Sequence, residues 1–273
     1  MTHRLRVALI GLGAIGQSLA RGLLAHSDSI EVVSVLVRQR DQGRLTATGE
    51  LAPLGGLITE DPSDMLHSQP ELVIECAGHA AVDAHGRAAL EHGCDLLVVS
   101  VGALADAVRL AALKAAAHRS GRKILLVAGA IGGTDWLAAA RLAGLQDVVY
   151  RGSKPPLAWK GSPAEGLVDL EKLSEPTLLF EGSASDAARD YPRNANVAAT
   201  VALASLGMER TRVELWADPR LHQNCHEVEA WGAAGHLHLK LENQADPENP
   251  RTSRVTAYSA LKAVLDRRAA LVL

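Results

Sequence analysis

Short apolar runs recur through the first 130 residues without the alternation expected of a half-exposed strand. Such runs are typical of parallel strands buried on both faces. Between them, the segment at residues 11–16 opens a predicted helix that runs to about residue 25, and segments rich in alanine and leucine predict helices at about 80–92 and 104–120. The apolar runs themselves lie at 5–10, 30–37, 72–75, 96–100 and 124–128. Strands and helices in strict rotation predict an α/β domain built on a doubly wound parallel sheet.

The pattern changes after residue 130. The proline-rich stretch 148–181 predicts irregular loops around short strands, and a helix is predicted at 195–206. Polar and apolar residues then alternate, as in antiparallel strands with one covered face, at 212–217, 226–231 and 236–242. We therefore expect a first domain at 1–130 and an α+β domain with a mostly antiparallel sheet at 131–249. A C-terminal helix at about 250–273 is expected to pack back on the first domain.

Composition excludes several classes of protein. The chain has 273 residues, with 28 Lys and Arg against 31 Asp and Glu, a net charge of −3. That balance argues against nucleic-acid binding, which needs an excess of positive charge. No apolar stretch approaches the roughly 18 residues of a membrane span, and the N-terminus lacks the features of a signal peptide. The three cysteines are widely spaced without a CxxC, so we expect a cytoplasmic protein without disulfides or structural zinc.

A glycine-rich loop follows the first predicted strand and opens a helix. The sequence Gly11-Leu-Gly-Ala-Ile-Gly16 has the GxGxxG spacing of a Rossmann dinucleotide-binding domain. Gly11 would permit the tight turn, Gly13 the approach of the pyrophosphate, and Gly16 close packing of helix against strand. Ala14 and Ile15 begin the helix, whose free N–H groups and positive dipole end favour phosphate. We therefore expect NAD or NADP as the cofactor.

The end of the second predicted strand bears on the choice between these cofactors. An acidic residue there normally bonds the adenine ribose and would repel a 2′-phosphate. Here the strand ends in Val-Arg-Gln-Arg (37–40) with no acid. Arg38 and Arg40 are candidates to hold the phosphate, with two solvated loop arginines as the alternative. NADP is expected to be accepted and NAD is not excluded.

The remaining cofactor contacts are expected where the parallel strands end, since open α/β sheets bind ligands at their carboxyl edge. Small residues in three segments would let a ribose and a nicotinamide lie against backbone, although packing alone also favours small residues. The segments are 75–79, which includes Cys76, Ala77 and Gly78, then 100–102 and 128–133.

One histidine stands out among eleven. In the strand pattern at 226–230, His226 shares the apolar face while Glu227 and Glu229 point away. A histidine on a covered face is a candidate acid/base, with a core histidine as the alternative. His236 and His238 lie instead on the polar face of the next strand. His222, Cys225 and His226 are close in sequence, but the strand pattern argues against a metal site.

Four blocks together resemble the L-aspartate dehydrogenase family. They are GLGAIG (11–16), AGAIGGTDWLAAA (128–140), GSASDAARDYPRNANVAATVALA (182–204) and NCHEVEAWGAAG (224–235). The resemblance implies a catalytic histidine at His226, cofactor contacts at Ala130 and Asn196, and a homodimer. It also implies a Rossmann domain followed by a domain for substrate and dimer contacts.

The activity that the resemblance implies is oxidative deamination of L-aspartate to iminoaspartate, which water converts to oxaloacetate and ammonia. Such a reaction supplies iminoaspartate for NAD biosynthesis. Two carboxylates need cationic partners, and Arg and Lys are suited to that role. The candidates are Lys160, then Lys154 and Arg193, with Arg151 and Arg189 behind them, and a solvated surface charge is the alternative for each. The helix opening at Asn194 could also face an anionic group.

Two other functions remain open at this point. One is a reductase of the same architecture that acts on dihydrodipicolinate or a semialdehyde. The other is a sensor that binds NAD(P) without turnover.

Overall fold

The computed structural model describes residues 3–38, 49–246, 249 and 252–272. It divides into two compact units. The N-terminal unit comprises Met1–Val127 together with Thr256–Leu273, and the C-terminal unit comprises Ala128–Val255.

The N-terminal unit is built on a six-stranded sheet in which every neighbouring pair is parallel. The strand order is β3-β2-β1-β4-β5-β6. The strands are β1 (Leu5–Ile10), β2 (Ile30–Leu36), β3 (Ile58–Thr59), β4 (Leu72–Glu75), β5 (Asp95–Val98) and β6 (Ile124–Leu126). β4 and β5 are buried along their whole length, as expected of central parallel strands. The predicted doubly wound parallel sheet is therefore confirmed.

Helices connect these strands and belong to the same unit. They are α1 (Ala14–Ala25), α2 (Pro62–His67), α3 (His79–Glu91), α4 (Ala107–Ser120) and, from the C-terminus, α8 (Val255–Leu265). Local signals set the ends of α4. The Asp106 side chain accepts a hydrogen bond from the Arg109 N–H at the start, and Gly121 takes a left-handed conformation at the end. Arg267, just after α8, pairs with Asp95 at 2.5 Å and attaches the C-terminal segment to the start of β5.

The C-terminal unit contains a five-stranded sheet in the order β11-β10-β7-β9-β8. Three of its four strand pairs are antiparallel, and only β7 and β9 are parallel. The strands are β7 (Leu145–Lys154), β8 (Thr177–Ser183), β9 (Arg212–Ala217), β10 (Asn224–Gly232) and β11 (Gly235–Asn243). The helices are α5 (Thr134–Ala143), α6 (Ala184–Asp190) and α7 (Asn196–Ala204). The expected α+β fold with a mostly antiparallel sheet is confirmed.

One region differs from its prediction. The stretch 148–181 was expected to be irregular around short strands, yet its first part belongs to β7, a strand of ten residues at the centre of the sheet. β7 lies between β10 and β9, so both of its edges are hydrogen-bonded. Pairing with strands distant in sequence stabilises a segment whose prolines begin only at Pro155.

The two faces of the second sheet differ in polarity. Val148, Tyr150, Val228 and Ala230 are buried in the core of the unit. On the opposite face, Arg151 bonds the carboxylates of Glu214, Glu227 and Glu229. None of the helices in the described part of the chain is long and apolar enough to cross a bilayer.

Candidate functional site

A cleft of about 490 Å³ opens at the carboxyl edge of the first sheet. The glycine loop forms one wall and the end of β2 another. The rest comes from the residues after β4, from the N-terminal half of α3 and from Glu60. The predicted cofactor residues that line the cleft are Gly11, Gly13, Arg38, Cys76 and Ala77.

The glycines of the loop fit their expected places for steric reasons. Gly11 has a φ of +96°, and a Cβ on it would lie 2.7 Å from the Cβ of Ala77. A Cβ on Gly16 would lie 2.4 Å from the Gly11 carbonyl oxygen. Gly13, by contrast, has open space where its Cβ would be. Only glycine therefore fits at positions 11 and 16, while position 13 leaves room for a ligand to approach the backbone.

The start of α1 is suited to an anion. Gly13 precedes the helix and carries no capping side chain, and the first turn, which includes Ala14 and Ile15, contains no acidic residue. The N–H groups of a first helical turn have no partner within the helix and carry the positive end of the helix dipole. A phosphate group fits this position.

The end of β2 contributes the exposed Arg38 to the cleft. Arg40, the second arginine predicted to hold a 2′-phosphate, lies outside the described residues. His85 lines the same cleft from α3. Partial burial lowers the pKa of His85, which favours its neutral form.

A buried carboxylate organises the loop after β4. Glu75 is completely buried, and its Oε1 accepts hydrogen bonds from the N–H groups of Ala77 at 2.8 Å and Gly78 at 2.7 Å. The same carboxylate accepts from the backbone N–H and the hydroxyl of Ser100, after β5. Glu75 thus ties together two segments at the carboxyl edge of the sheet. The sequence placed it in a candidate segment but gave no signal of this network, because Ser100 is distant in sequence.

The thiol of Cys76 lies beside the glycine loop and bonds its backbone. Its Sγ donates to the carbonyl oxygens of Ile10 at 3.2 Å and Gly11 at 3.3 Å. Burial, with a smaller contribution from the Glu75 charge, raises the pKa of this thiol far above its usual range. It therefore stays neutral and acts as a donor to the loop. Gly78, with a φ of +112°, precedes α3.

Ala130 lies in the first loop of the C-terminal unit. It is buried, and its carbonyl oxygen accepts a 2.7 Å hydrogen bond from the side-chain amide of Asn243. Asn243 ends β11 and lies opposite Asn224 on β10. This long-range contact fixes the backbone at a position that the family resemblance connected with the cofactor. Asn243 was not identified from the sequence.

His226 is buried in the second sheet and bonded to a tyrosine. It lies on β10, opposite Gly152 on β7. Its Nδ1 is 2.8 Å from the hydroxyl oxygen of Tyr150, and the two rings are nearly parallel at an interplanar angle of 20°. Only 5% of His226 and 2% of Tyr150 is exposed. Tyr150 was not identified from the sequence, because the stretch 148–181 predicted irregular loops around short strands and gave no sign of the pairing with β10.

The environment of His226 favours a neutral ring. Burial is the larger cause, and the positive charge of Lys154 adds to it, so that the pKa of His226 falls to about 3. Both effects oppose formation of an imidazolium. The ring is therefore uncharged at neutral pH in the free protein.

Lys154 and Asn194, two predicted substrate-binding residues, are in contact. The ammonium of Lys154, at the end of β7, donates to the Asn194 Oδ1 at 2.8 Å and lies 5.4 Å from the centre of the Trp159 ring. Asn194 directly precedes the segment that opens α7. Asn196 is the first residue of that helix and is exposed. Lys154, Asn194 and His226 are thus brought together within the C-terminal unit.

The other predicted cations are placed differently. Lys160 is half-exposed and pairs with Glu171 at 2.9 Å, which raises the pKa of the Lys160 ammonium. Arg189 pairs with Asp186 and Asp190, and Arg151 is held by the three glutamates of the polar sheet face. The side chain of Arg193 lies outside the described part of the structure.

No group of histidine, cysteine and acidic side chains able to hold a metal ion occurs among the described residues. His226 and Cys225 alternate along a strand, so their side chains leave opposite faces of the sheet.

Two family models match consecutive parts of the chain. Residues 11–127 match the NAD-binding domain of homoserine dehydrogenase. Residues 135–267 match the C-terminal domain of aspartate dehydrogenase.

Curated relatives match over nearly the full length. The chain is 46% identical to the L-aspartate dehydrogenase of Polaromonas sp. (strain JS666), over 98% of this chain and 100% of that protein. It is 47% identical to the L-aspartate dehydrogenase of Ralstonia nicotianae, over 96% of this chain and 97% of that protein.

Solved structures agree with this similarity. The crystal structure of aspartate dehydrogenase from Thermotoga maritima matches with a TM-score of 0.77 and 26% identity, covering 99% of this chain and 100% of that one. A hyperthermophilic archaeal homoserine dehydrogenase, solved in complex with NADPH, shares the fold with a TM-score of 0.60 at 15% identity.

Proposed function

Because the chain belongs to the aspartate dehydrogenase family, we propose that it catalyses the NAD(P)-dependent oxidative deamination of L-aspartate with His226 as its acid/base. The reaction removes a hydride from Cα and a proton from nitrogen, and leaves iminoaspartate. Water then converts the imine to oxaloacetate and ammonia. The enzyme is an oxidoreductase that acts on a CH–NH2 group.

The N-terminal unit has the features that a dinucleotide requires. Position 13 has open space at the start of α1, and the glycines at 11 and 16 allow close packing where a Cβ would collide. Gly11, Gly13, Ala14, Ile15 and Gly16 would hold the pyrophosphate, and Arg38 would hold the adenosine end. Cys76, Ala77 and Gly78 would offer backbone along the cleft. A bound nicotinamide supplies the acceptor for the hydride that leaves Cα.

His226 would handle the proton of the amino group. Hydride can leave Cα only when nitrogen has a lone pair to share, so the substrate ammonium must first lose a proton. A neutral imidazole can accept that proton. The pKa of His226, about 3 in the free protein, would rise beside two substrate carboxylates, because a nearby opposite charge favours the protonated ring.

Lys154 and Asn194 would bind a substrate carboxylate. The observation that carries the proposal is geometric: Lys154 lies two residues beyond Gly152, the residue opposite His226, on the same face of β7. A cation at this position can neutralise a carboxylate of a substrate whose amino group faces the imidazole. Asn194 holds the lysine side chain in place. Lys160 and Arg193 are further proposed contacts, and Ala130 and Asn196 are proposed to contact the cofactor.

The experiment is a spectrophotometric assay for reduced nicotinamide with L-aspartate, run separately with NAD and NADP. The reverse assay supplies oxaloacetate and ammonium, and a parallel assay offers a semialdehyde. A His226→Asn variant is expected to lose about a hundred-fold or more of kcat, the range of a lost acid/base. His92→Asn, at an exposed site, serves as the control. Full turnover by a folded His226→Asn variant would remove His226 from the mechanism.

We also propose a cytoplasmic homodimer that supplies iminoaspartate to NAD biosynthesis. Light scattering coupled to gel filtration measures the mass in solution, and a mass of one chain would contradict the dimer.

A further inference from the structure

Among the described residues, the hydrogen-bond partner of the buried Tyr150 hydroxyl is Nδ1 of His226, at 2.8 Å. Tyr150 is otherwise a core residue, packed with Val148, Val213 and Leu215. A purely structural role in such a core is served as well by phenylalanine. The hydroxyl therefore calls for an explanation, since burying a polar group costs free energy that only a good partner offsets.

The strand pairing leaves room for this contact at one position. Tyr150 and Gly152 are two residues apart on β7 and so share one face, and Gly152 lies directly opposite His226 on β10. A Cβ on Gly152 would lie 2.8 Å from the Tyr150 hydroxyl oxygen and 3.2 Å from its ring carbon Cζ. The missing side chain at position 152 lets the tyrosine reach across to the histidine.

The contact decides which ring nitrogen is available. An imidazole has two nitrogens, and the hydrogen bond made by one fixes the orientation and the role of the other. Nδ1 is engaged by Tyr150, which leaves Nε2 as the nitrogen that can meet a substrate. When Nε2 carries the lone pair, Nδ1 carries a hydrogen both in the neutral ring and in the protonated ring, so the Tyr150 oxygen can accept from Nδ1 before and after the ring takes up a proton.

We propose that Tyr150 is a positioning residue that holds Nδ1 of His226 and thereby makes Nε2 the nitrogen of proton transfer. The inference rests on the proposed acid/base role of His226. In the base role Nε2 offers its lone pair while Nδ1 carries the hydrogen and donates it to the Tyr150 oxygen. Tyr150 itself touches neither substrate nor cofactor in this arrangement.

The first test is Tyr150→Phe, which keeps the ring and removes the hydroxyl. We expect kcat to fall about ten- to a hundred-fold, the effect of misplacing a catalytic group, with little change in the KM of cofactor or aspartate. Tyr191→Phe is the matched control, because the Tyr191 hydroxyl is also buried but bonds the Leu179 carbonyl. Equal effects of the two variants on kcat would overturn the proposal.

A second variant leaves the tyrosine intact. Gly152→Ala should displace the hydroxyl and lower kcat in the same way, whereas Gly166→Ala, where a Cβ meets no atom within 4 Å, should not. If Tyr150→Phe does not fold, the kcat of Gly152→Ala tests the proposal in its place. A folded Gly152→Ala enzyme with unchanged kcat would also overturn the proposal.

Nitrogen NMR of the wild-type protein labelled at histidine separates this inference from the proposed function. Addition of a dicarboxylate substrate analogue should shift Nε2 of His226 more than Nδ1, and a larger shift at Nδ1 would overturn the positioning role. A proton on Nε2 in the neutral resting ring would likewise overturn it, whereas full turnover by a folded His226→Asn variant would contradict the base role of His226 itself. His226→Asn, assayed in parallel, gives the size of the effect that Tyr150→Phe should approach but not exceed.

Discussion

The ammonium of Lys154 donates to the side-chain oxygen of Asn194 across 40 positions of sequence, at 2.8 Å. The contact joins the end of the central strand β7 to the segment that opens α7. Each residue is held by a different element, so the pair is positioned by the fold and not by a loop alone. A cation held in this way loses little further side-chain entropy when an anionic ligand arrives.

Replacing Lys154 by Met should weaken aspartate binding. We expect the KM for aspartate to rise about ten- to a hundred-fold, as for the loss of a charged hydrogen bond, while the KM for NAD(P) stays unchanged. Steady-state kinetics with each substrate varied in turn measures the split. Lys172→Met, at a site 83% exposed, is the control. If the KM for aspartate rises in Lys160→Met and not in Lys154→Met, then Lys160, the first candidate from the sequence, is the carboxylate contact and Lys154 is not.

The low pKa of His226 predicts acid sensitivity of the fold. The folded-state pKa is about 3, while an unfolded histidine titrates near 6.5. Between these values the unfolded chain binds a proton that the folded chain does not. The free energy of unfolding should therefore fall as the pH drops from about 6.5 towards 3, by at most about 1.4 kcal/mol per pH unit from this residue.

Urea denaturation at a series of pH values measures that slope. His226→Asn should flatten it relative to wild type, and His92→Asn should leave it unchanged because His92 is exposed. Identical slopes for wild type and His226→Asn would show that the buried imidazole titrates normally.

The hydrogen bonds of Glu75 predict that its replacement affects both the stability of the fold and cofactor binding. Glu75→Gln keeps the shape of the side chain but replaces one acceptor oxygen by an NH2 donor, so that an N–H group at 77, 78 or 100 loses its acceptor. We expect a loss of about 1–3 kcal/mol in the free energy of unfolding and a higher KM for the cofactor, with the KM for aspartate unaffected. Glu91→Gln, which removes exposed ion pairs, should do little by either measure. An unchanged cofactor KM would limit Glu75 to a structural role.

The sequence predicted those parts of the fold in which local pattern and burial agree. Residues 5–10, 72–75 and 212–217 were predicted as strands with the bounds that the structure has, because the first two runs are mostly apolar and the third largely alternates polar and apolar residues. The glycine loop was recognisable for the same reason, since its spacing and its flanking elements are local.

Residues whose role depends on a distant partner could not be predicted. β7 becomes a central strand only through β9 and β10, and Tyr150 acquires a partner 76 residues away. Glu75 and Asn243 likewise bond segments that are adjacent only in the folded chain. The family resemblance pointed to His226, but neither it nor the residue pattern gave any sign of Tyr150 or Gly152.

The position of Arg38 predicts that it distinguishes NADP from NAD. It is exposed at the end of β2 and lines the cleft, where a guanidinium can bond a 2′-phosphate that NADP has and NAD lacks. Arg38→Ala should therefore raise the KM for NADP about tenfold or more, the size of one charged hydrogen bond, and leave the KM for NAD close to that of wild type. Arg141→Ala, at an exposed site of the C-terminal unit, is the control. An equal change with both cofactors would place Arg38 against a part of the dinucleotide that NAD and NADP share.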